Sequence, residues 1–333
     1  MDHSRRTALQ LAVASAATVL AGRAGRAIAA DYPTRPVRII VPYGAGSAAD
    51  VVCRVIAEGL SQKWHQTVSI DDRPGASGFL AMQELKRSKS GGYDYAFGDI
   101  GTLAINPTVF ASIPYDPLKD FLPVVDLFWS SSVVWVSNES PNKTLRQLLD
   151  AGKASPGKLT YASTGTGSTT FMTAETLLYN AGKLDFLEIP FKEMGSLLTA
   201  LATNEVDMFV AAVATAQPVM SRLRPLAVES RTRLSQYPNI PTVEEAAGLT
   251  GFHYQTWGAL ITNVGVPPAI ANQVRADAID VLAKADAKAK LSGFAVEDSR
   301  GMDSDALLAL IQADIERNRE PIKAATDRPR SRK

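Results

Sequence analysis

One order of residues recurs along this chain and restricts its fold more than any other feature. A short β-branched run is followed by a loop rich in Gly and hydroxyl residues, then by an apolar stripe at helical spacing. Residues 37–43 (VRIIVPY), bounded by Pro36 and Gly44, suit a buried strand. Gly44-Ala45-Gly46-Ser47 follows, and Val51, Val55, Ile56 and Leu60 then mark one face of a helix that Asp50 is placed to cap. Residues 68–70 and 93–97 repeat the strand and 79–85 the helix, with Asp72-Arg73-Pro74-Gly75 as a turn. The pattern restarts at 133–136 and continues through strands at 159–162, 187–191 and 208–212 and helices at 144–151, 169–180 and 196–202. Strands at 225–228 and 254–261 and long amphipathic helices at 268–282 and 304–319 close the chain. Strands alternating with helices predict an α/β fold with parallel sheets and crossover connections.

With 333 residues, 46% of them hydrophobic, the chain is large enough for two domains. The last two helices are needed as cover for the first sheet, so the expected division is domain 1 from 30–130 and 245–333, and domain 2 from 131–244. The chain would cross between them near 128–132 and near 238–251, leaving a hinge and a cleft. Lys plus Arg total 35 against 34 acidic residues, which argues against nucleic acid or an anionic membrane as partner. The single cysteine, Cys53, excludes a disulfide framework and a multi-cysteine metal site. It reads as a small core residue, a reactive thiol being the competing reading. Histidine occurs only at positions 3, 65 and 253, so neither a metal nor a catalytic histidine cluster is expected, and no cofactor is called for.

The first 29 residues read as an export signal. Ser4-Arg5-Arg6-Thr7 precedes an Ala, Leu and Val run over 8–21, and Ala27-Ile28-Ala29 offers the small-x-small cleavage pattern. The paired arginines resemble a twin-arginine signal, although Ala8 and Gln10 depart from its usual residues. An apolar run of roughly 14 residues is short of the ~20 that a membrane anchor needs. Cleavage near Ala29 would leave a near-neutral periplasmic protein.

In open α/β sheets, ligands gather beyond the carboxyl ends of the strands. Two loops there attract attention. Tyr43, Gly44, Ala45, Gly46 and Ser47, with Asp50 behind them, leave the first strand. Ser163, Thr164, Gly165, Thr166, Gly167 and Ser168 leave a strand of the second unit and run into Thr169, Thr170 and Phe171. Glycine permits close backbone approach, and a helix N-terminus offers unpaired amides and about half a positive charge. Both loops therefore suit an anion, and the hydroxyls add neutral donors for a carboxylate that must be released again. Gly98 and Asp99 follow a first-domain strand and are expected to face the same cleft. Asp99 either favours a ligand amino group or caps a helix.

Gly44-Ala45-Gly46-Ser47-Ala48-Ala49 also fits the dinucleotide fingerprint, which makes a secreted Rossmann-type NAD(P)-dependent oxidoreductase the alternative. The acids at Asp71 and Asp72 fall a little beyond the usual ~20-residue interval. Of the two Tyr-x-x-x-Lys pairs, 115–119 contains Pro117 and 179–183 contains Gly182, so neither sits on an unbroken helix. No G-x-S-x-G elbow supports a serine hydrolase.

YPTRPVRIIVPYGAGSAADVVCRVIAEGL, DDRPGASG, INPTVF with PYDPLKDFLPV, SPGKLTYASTGTGS, PFKEMGSLLTALATNEVDMFV and YPNIPTVEEAAGLTGF occur in order from Tyr32 to Phe252. In these blocks the chain resembles the TctC/Bug solute receptors of tripartite tricarboxylate transporters. The resemblance implies a two-domain periplasmic binding protein, type II-like, with a ligand cleft between two α/β lobes. It implies no enzyme activity, a small carboxylate held by the two loops, a monomer, and a transporter membrane component or a sensor kinase as partner. The chain departs from the family pattern at Gly44, where many members have Pro, at Ser47, where many have Gly, and at Phe171, where many have His. Val210-Ala211-Ala212-Val213 replaces a common polar pair, which implies a less polar distal wall to the pocket and makes an aromatic or otherwise apolar carboxylate a more plausible ligand than citrate.

Overall fold

The computed structural model describes residues 32–165, 168–292 and 296–327; the export segment and the loop residues Thr166 and Gly167 lie outside them. The first half opens with β1 (Val37–Val41), α1 (Ala48–Trp64), β2 (Val68–Asp72), α2 (Phe79–Arg87) and β3 (Asp94–Asp99). The long strand β4 (Phe121–Ser137) leads into α3 (Leu145–Ala154), β5 (Thr160–Ser163), α4 (Thr169–Asn180), β6 (Leu187–Pro190), α5 (Met194–Ala202), β7 (Met208–Ala212), β8 (Leu223–Val228) and α6 (Val243–Ala247). The chain ends with β9 (Gln255–Asn263), α7 (Pro268–Leu282), α8 (Ala285–Leu291), β10 (Glu297–Asp298) and α9 (Ser304–Thr326).

The strands follow the order β2-β1-β3-β9-β4-β7-β5-β6, with β8 and β10 also pairing β4. As expected, β1 runs parallel to β2 and β3, and β5 runs parallel to β6 and β7. The strands that join these parallel groups do not: β9 is antiparallel to β3 and to β4, and β4 is antiparallel to β7 and β8. They reach their neighbours as long through-going strands rather than by helical crossovers, so nothing forces a parallel match. Within β4, Phe121–Ser131 pairs with β9, and from Ser132 onward the strand pairs with β7 and β8.

Alternation along the strands builds the core. Ile39 and Phe97 point to the face covered by α1 and α7, whereas Ile40 and Ala96 point to the opposite face. Val133 and Trp135 likewise face α5, while Val134 and Val136 join the same core as Ile40. That shared core is continuous across both halves. Leu307 and Ile311 of α9 enter it, and α9 packs on α4 as well as on β4. Cys53 is fully buried in the first-half core, where burial pushes its thiol far above the ordinary range, so it packs as a small apolar residue.

After β8 the backbone stays with the second half, where Thr242 bridges to Val228 and α6 packs on α3 and β8. It rejoins the first half's sheet at Gln255. Three backbone segments meet at this crossing: the Glu229 amide donates to the Ser132 carbonyl at 2.8 Å, and the Tyr254 amide to the Glu229 carbonyl at 2.7 Å. Glu229 is fully buried there, and neither carboxylate oxygen has a hydrogen-bond partner among the described residues. Burial, only partly opposed by the charge of Arg317, raises its carboxyl well above the ordinary glutamate value of 4.5. A raised acid stabilises the folded chain below that ordinary value, and the contribution is lost as pH rises toward the folded-state value. Within that window each pH unit costs up to about 1.4 kcal/mol. Glu229→Gln is therefore expected to be more stable than the parent at pH 7 to 8. Urea unfolding measured down to pH 4.5 should show that advantage shrinking.

Candidate ligand-binding site

The carboxyl ends of β1, β2 and β3 in the first half and of β5 in the second converge on one cavity of about 450 Å³. From the first half it is lined by Pro42, Tyr43 and Gly44 after β1, by Pro74, Gly75, Ser77 and Gly78 after β2, and by Gly101 and Asn106 after β3. Thr164, Ser168, Thr169 and Thr170 line it from the second half. The loops after β1 and β5 thus share one space.

The first loop is closed on itself. The Ser47 amide donates to the Gly44 carbonyl at 3.2 Å, and Gly46 takes a φ of +83°, which glycine tolerates without strain. Ser47, not Asp50, is the helix cap: its hydroxyl accepts from the Asp50 amide at 3.2 Å. A cap must precede the first helical turn, and Asp50 already lies inside it. The Asp50 carboxylate instead accepts from the Gly46 amide at 2.7 Å and pairs with Arg54. Asp50 is therefore an internal support, and the Gly46 amide is taken.

In the second loop the Ser163 hydroxyl donates to Glu188 at 2.6 Å and accepts from the Gly165 amide at 2.9 Å. The Thr170 hydroxyl accepts from the Thr164 amide at 3.0 Å and contacts the hydroxyls of Thr164 and Ser168. Ser168 caps α4 by accepting from the Phe171 amide. The hydroxyls thus divide into two groups. Ser163 holds the loop's shape out of reach, while Thr164, Ser168, Thr169 and Thr170 lie at the cavity. Ala45, Gly46, Ser47, Gly98 and Gly165 are not in its wall.

Phe171 does not reach the cavity, contrary to its expected place there. It is 2% exposed and packs near Tyr161, with ring centroids 6.4 Å apart, because the first inward position of α4 faces the shared core. Val210, Ala211 and Val213 are also buried, and neither they nor Ala212 line the cavity. The family departures at these places do not alter its wall.

Asp99 resolves toward the capping role. Its Oδ1 accepts from the Thr102 amide and hydroxyl, each at 2.8 Å, and its Oδ2 accepts from the Tyr43 hydroxyl at 2.5 Å. Burial first, then the neighbouring Asp99 charge, lifts the Tyr43 phenol well above its ordinary value. Tyr43 therefore remains a neutral donor, committed to Asp99. No described lining residue carries a charged side chain. The local field comes from the N-terminus of α4, whose first-turn amides have no carbonyl behind them in the helix and together carry about half a positive charge.

The segment after β2 was legible only as a turn. Gly75, Ala76, Ser77 and Gly78 all have positive φ, at +122°, +47°, +54° and +85°. Two non-glycine residues in that region cost energy that the surroundings must supply. Asn106 contributes by donating to the Ser77 carbonyl at 2.8 Å, and its amide also meets the Tyr115 hydroxyl. A Cβ on Gly78 would lie 2.7 Å from Thr102 Cγ2, so the glycine lets this lip press against the turn after β3. Two glycines flanking Ala-Ser beyond a parallel strand were the available signal, since they stand at the same sheet edge as the other loops.

Of the residues that the oxidoreductase alternative would use, Tyr115 is buried and donates to the Thr102 carbonyl at 2.5 Å, while Asp71 and Asp72 pair with Arg38 and Arg54.

A family model described as the tripartite tricarboxylate transporter family receptor matches residues 52–326. The UPF0065 protein of the tcbD-tcbE intergenic region of Pseudomonas sp. strain P51 is 30% identical over 307 residues, 92% of this chain and 90% of that protein. Among solved structures, R. palustris Rpa4515 with adipate is 26% identical with a TM-score of 0.74, covering 89% of this chain and 98% of that one. MatC from Rhodopseudomonas palustris with bound malate is 26% identical with a TM-score of 0.72, covering 87% and 100%. The converging neutral loops and these likenesses agree, and the chain belongs to the tripartite tricarboxylate transporter receptor family, TctC.

Proposed function

We propose that this chain is an exported periplasmic receptor that captures a small organic carboxylate and hands it to the membrane component of a tripartite transporter. One observation carries the reading: a single cavity is walled by neutral loops from both halves, with the N-terminus of α4 in its wall. A carboxylate there gains hydrogen bonds from amides and hydroxyls without meeting a fixed cation. That arrangement favours capture followed by release, because a buried charge pair would hold the ligand more tightly. The adipate and malate bound by the similar receptors make small carboxylates the natural class.

The lobes of this reading are residues 32–131 with 255–327, and 132–254. Their relative rotation about the crossing at Ser132, Glu229 and Tyr254 would close the cavity. Closure driven by the ligand follows from its tighter binding to the closed form. The N-terminal 29 residues supply the export signal, and capture itself involves no bond making or breaking.

Ligand bound at 100 times its Kd stabilises by about 2.7 kcal/mol. In a thermal-shift screen of adipate, malate, succinate and benzoate, at least one is expected to raise Tm by about 5 °C. No shift with any of them, together with a shift from NAD, would overturn the receptor reading. Gly44 provides a second test. An added Cβ meets nothing within 4 Å, so Gly44→Val should leave the melting temperature of the free protein unchanged. Its branched side chain would stand in the cavity mouth, and titration calorimetry should register at least a roughly tenfold loss of affinity.

A further inference from the structure

We infer that Asp50, Arg54 and Asp72 form a side-chain strut that fixes the distance between two lips of the cavity, making Asp50 and Arg54 positioning residues for binding. The consequence for affinity rests on the receptor reading above; the strut itself belongs to the ligand-free chain. One lip is the loop 44–47 after β1, and the other is the strained segment 74–78 after β2. Both contribute to the cavity wall, whereas none of the three strut residues does.

The connections run without a break. The Gly46 amide donates to Asp50 Oδ2 at 2.7 Å. Asp50 Oδ1 forms an ion pair with Arg54 Nε at 2.7 Å, and a terminal nitrogen of Arg54 donates to Asp72 Oδ2 at 2.9 Å. Asp72 is the last residue of β2, two residues before Pro74. At the sheet edge the lips are joined once by backbone, through the Arg73 amide and the Val41 carbonyl at 2.7 Å. Beyond that point each lip is otherwise held by its own turn, Ser47 to Gly44 and Gly78 to Gly75, and by Asn106 on Ser77. Among the described residues, the strut is the polar side-chain link from one lip to the other.

Charge explains why an arginine is needed. Asp50 and Asp72 lie against one guanidinium, so they are close neighbours, and adjacent carboxylates repel. The guanidinium presents separate N–H groups in a rigid fork, so one cation serves both acids. Burial alone would raise Asp50, but Arg54 and the Gly46 amide outweigh it and hold the carboxyl below its ordinary range. Asp72 is raised, by burial and then by the Asp50 charge, which fits two acids sharing one cation. The bland reading is an ordinary helix ion pair at i and i+4, which contributes little to stability. It differs in a testable way, because an ordinary pair leaves the 74–78 lip unaffected.

The test compares the full mature chain with Arg54→Gln and with Arg54→Gln combined with Asp72→Asn. Arg54 is about half exposed, so both variants should fold, and circular dichroism verifies this. In ligand-free protein, hydrogen exchange of peptides covering 43–48 and 73–79 should accelerate together in Arg54→Gln, while β5 and α4 remain unchanged. Adipate and malate affinities should fall roughly tenfold. Asp72→Asn removes the unscreened like charge and should restore part of both effects, which a merely structural ion pair would not do. Unchanged exchange in either lip, or no restoration in the double variant, overturns the strut. If the parent protein binds none of the carboxylates in the screen, the receptor reading falls, and the exchange data still decide the strut.

Discussion

The architecture depends on one strand serving two sheets. Hydrogen bonding of β4 to β9 over its first eleven residues, and to β7 and β8 from Ser132 onward, sets the orientation of each half. Because β1, β2 and β3 are parallel on one side and β5, β6 and β7 on the other, the loops after β1, β2 and β3 and the loop after β5 face one common space. A carboxylate gripped from two sides is possible only because these edges oppose each other. The continuous core beneath, reached by α9 from both sides, keeps the halves in register.

Within that frame, most of the polar chemistry near the cavity works on the loops themselves. Ser47, Asp50, Asp99 and Ser163 each bind backbone or neighbouring side chains, and their geometry leaves the surrounding amides and threonine hydroxyls in place. Such second-rank bonds cost ligand affinity nothing at the moment of binding, because the donors are already ordered. Two acids beside these loops are held in place: Asp50 pairs with Arg54, and Asp99 accepts from Tyr43 and Thr102.

Much of this was readable from the chain alone. The β-branched runs separated by Gly-rich loops predicted the strands and helices, and the two loops chosen for their amides both reach the cavity. Legibility failed where a side chain's direction or a strand's partner mattered. Phe171 follows the second loop as closely as Thr170 does, yet one turn of helix geometry sends it into the core. Asp50 looked like a cap, and only the actual start of α1 makes Ser47 the cap and Asp50 a support. The antiparallel pairing of β9 and β4 left no local trace, because strand polarity is a relation between distant segments.

By itself the sequence determined the period of each element, the placement of glycine where the backbone must turn, the near balance of charge and the family to which the chain belongs. These are local or compositional properties, fixed by propensity and by the order of residues. Tertiary structure alone decided that three first-half loops and one second-half loop meet in one cavity. It also assigned some hydroxyls to scaffolding and others to the cavity wall, and gave the PGASG segment its run of positive φ. Each of those outcomes depends on contacts between residues tens of positions apart, and such contacts exist only once β4 has joined the two sheets.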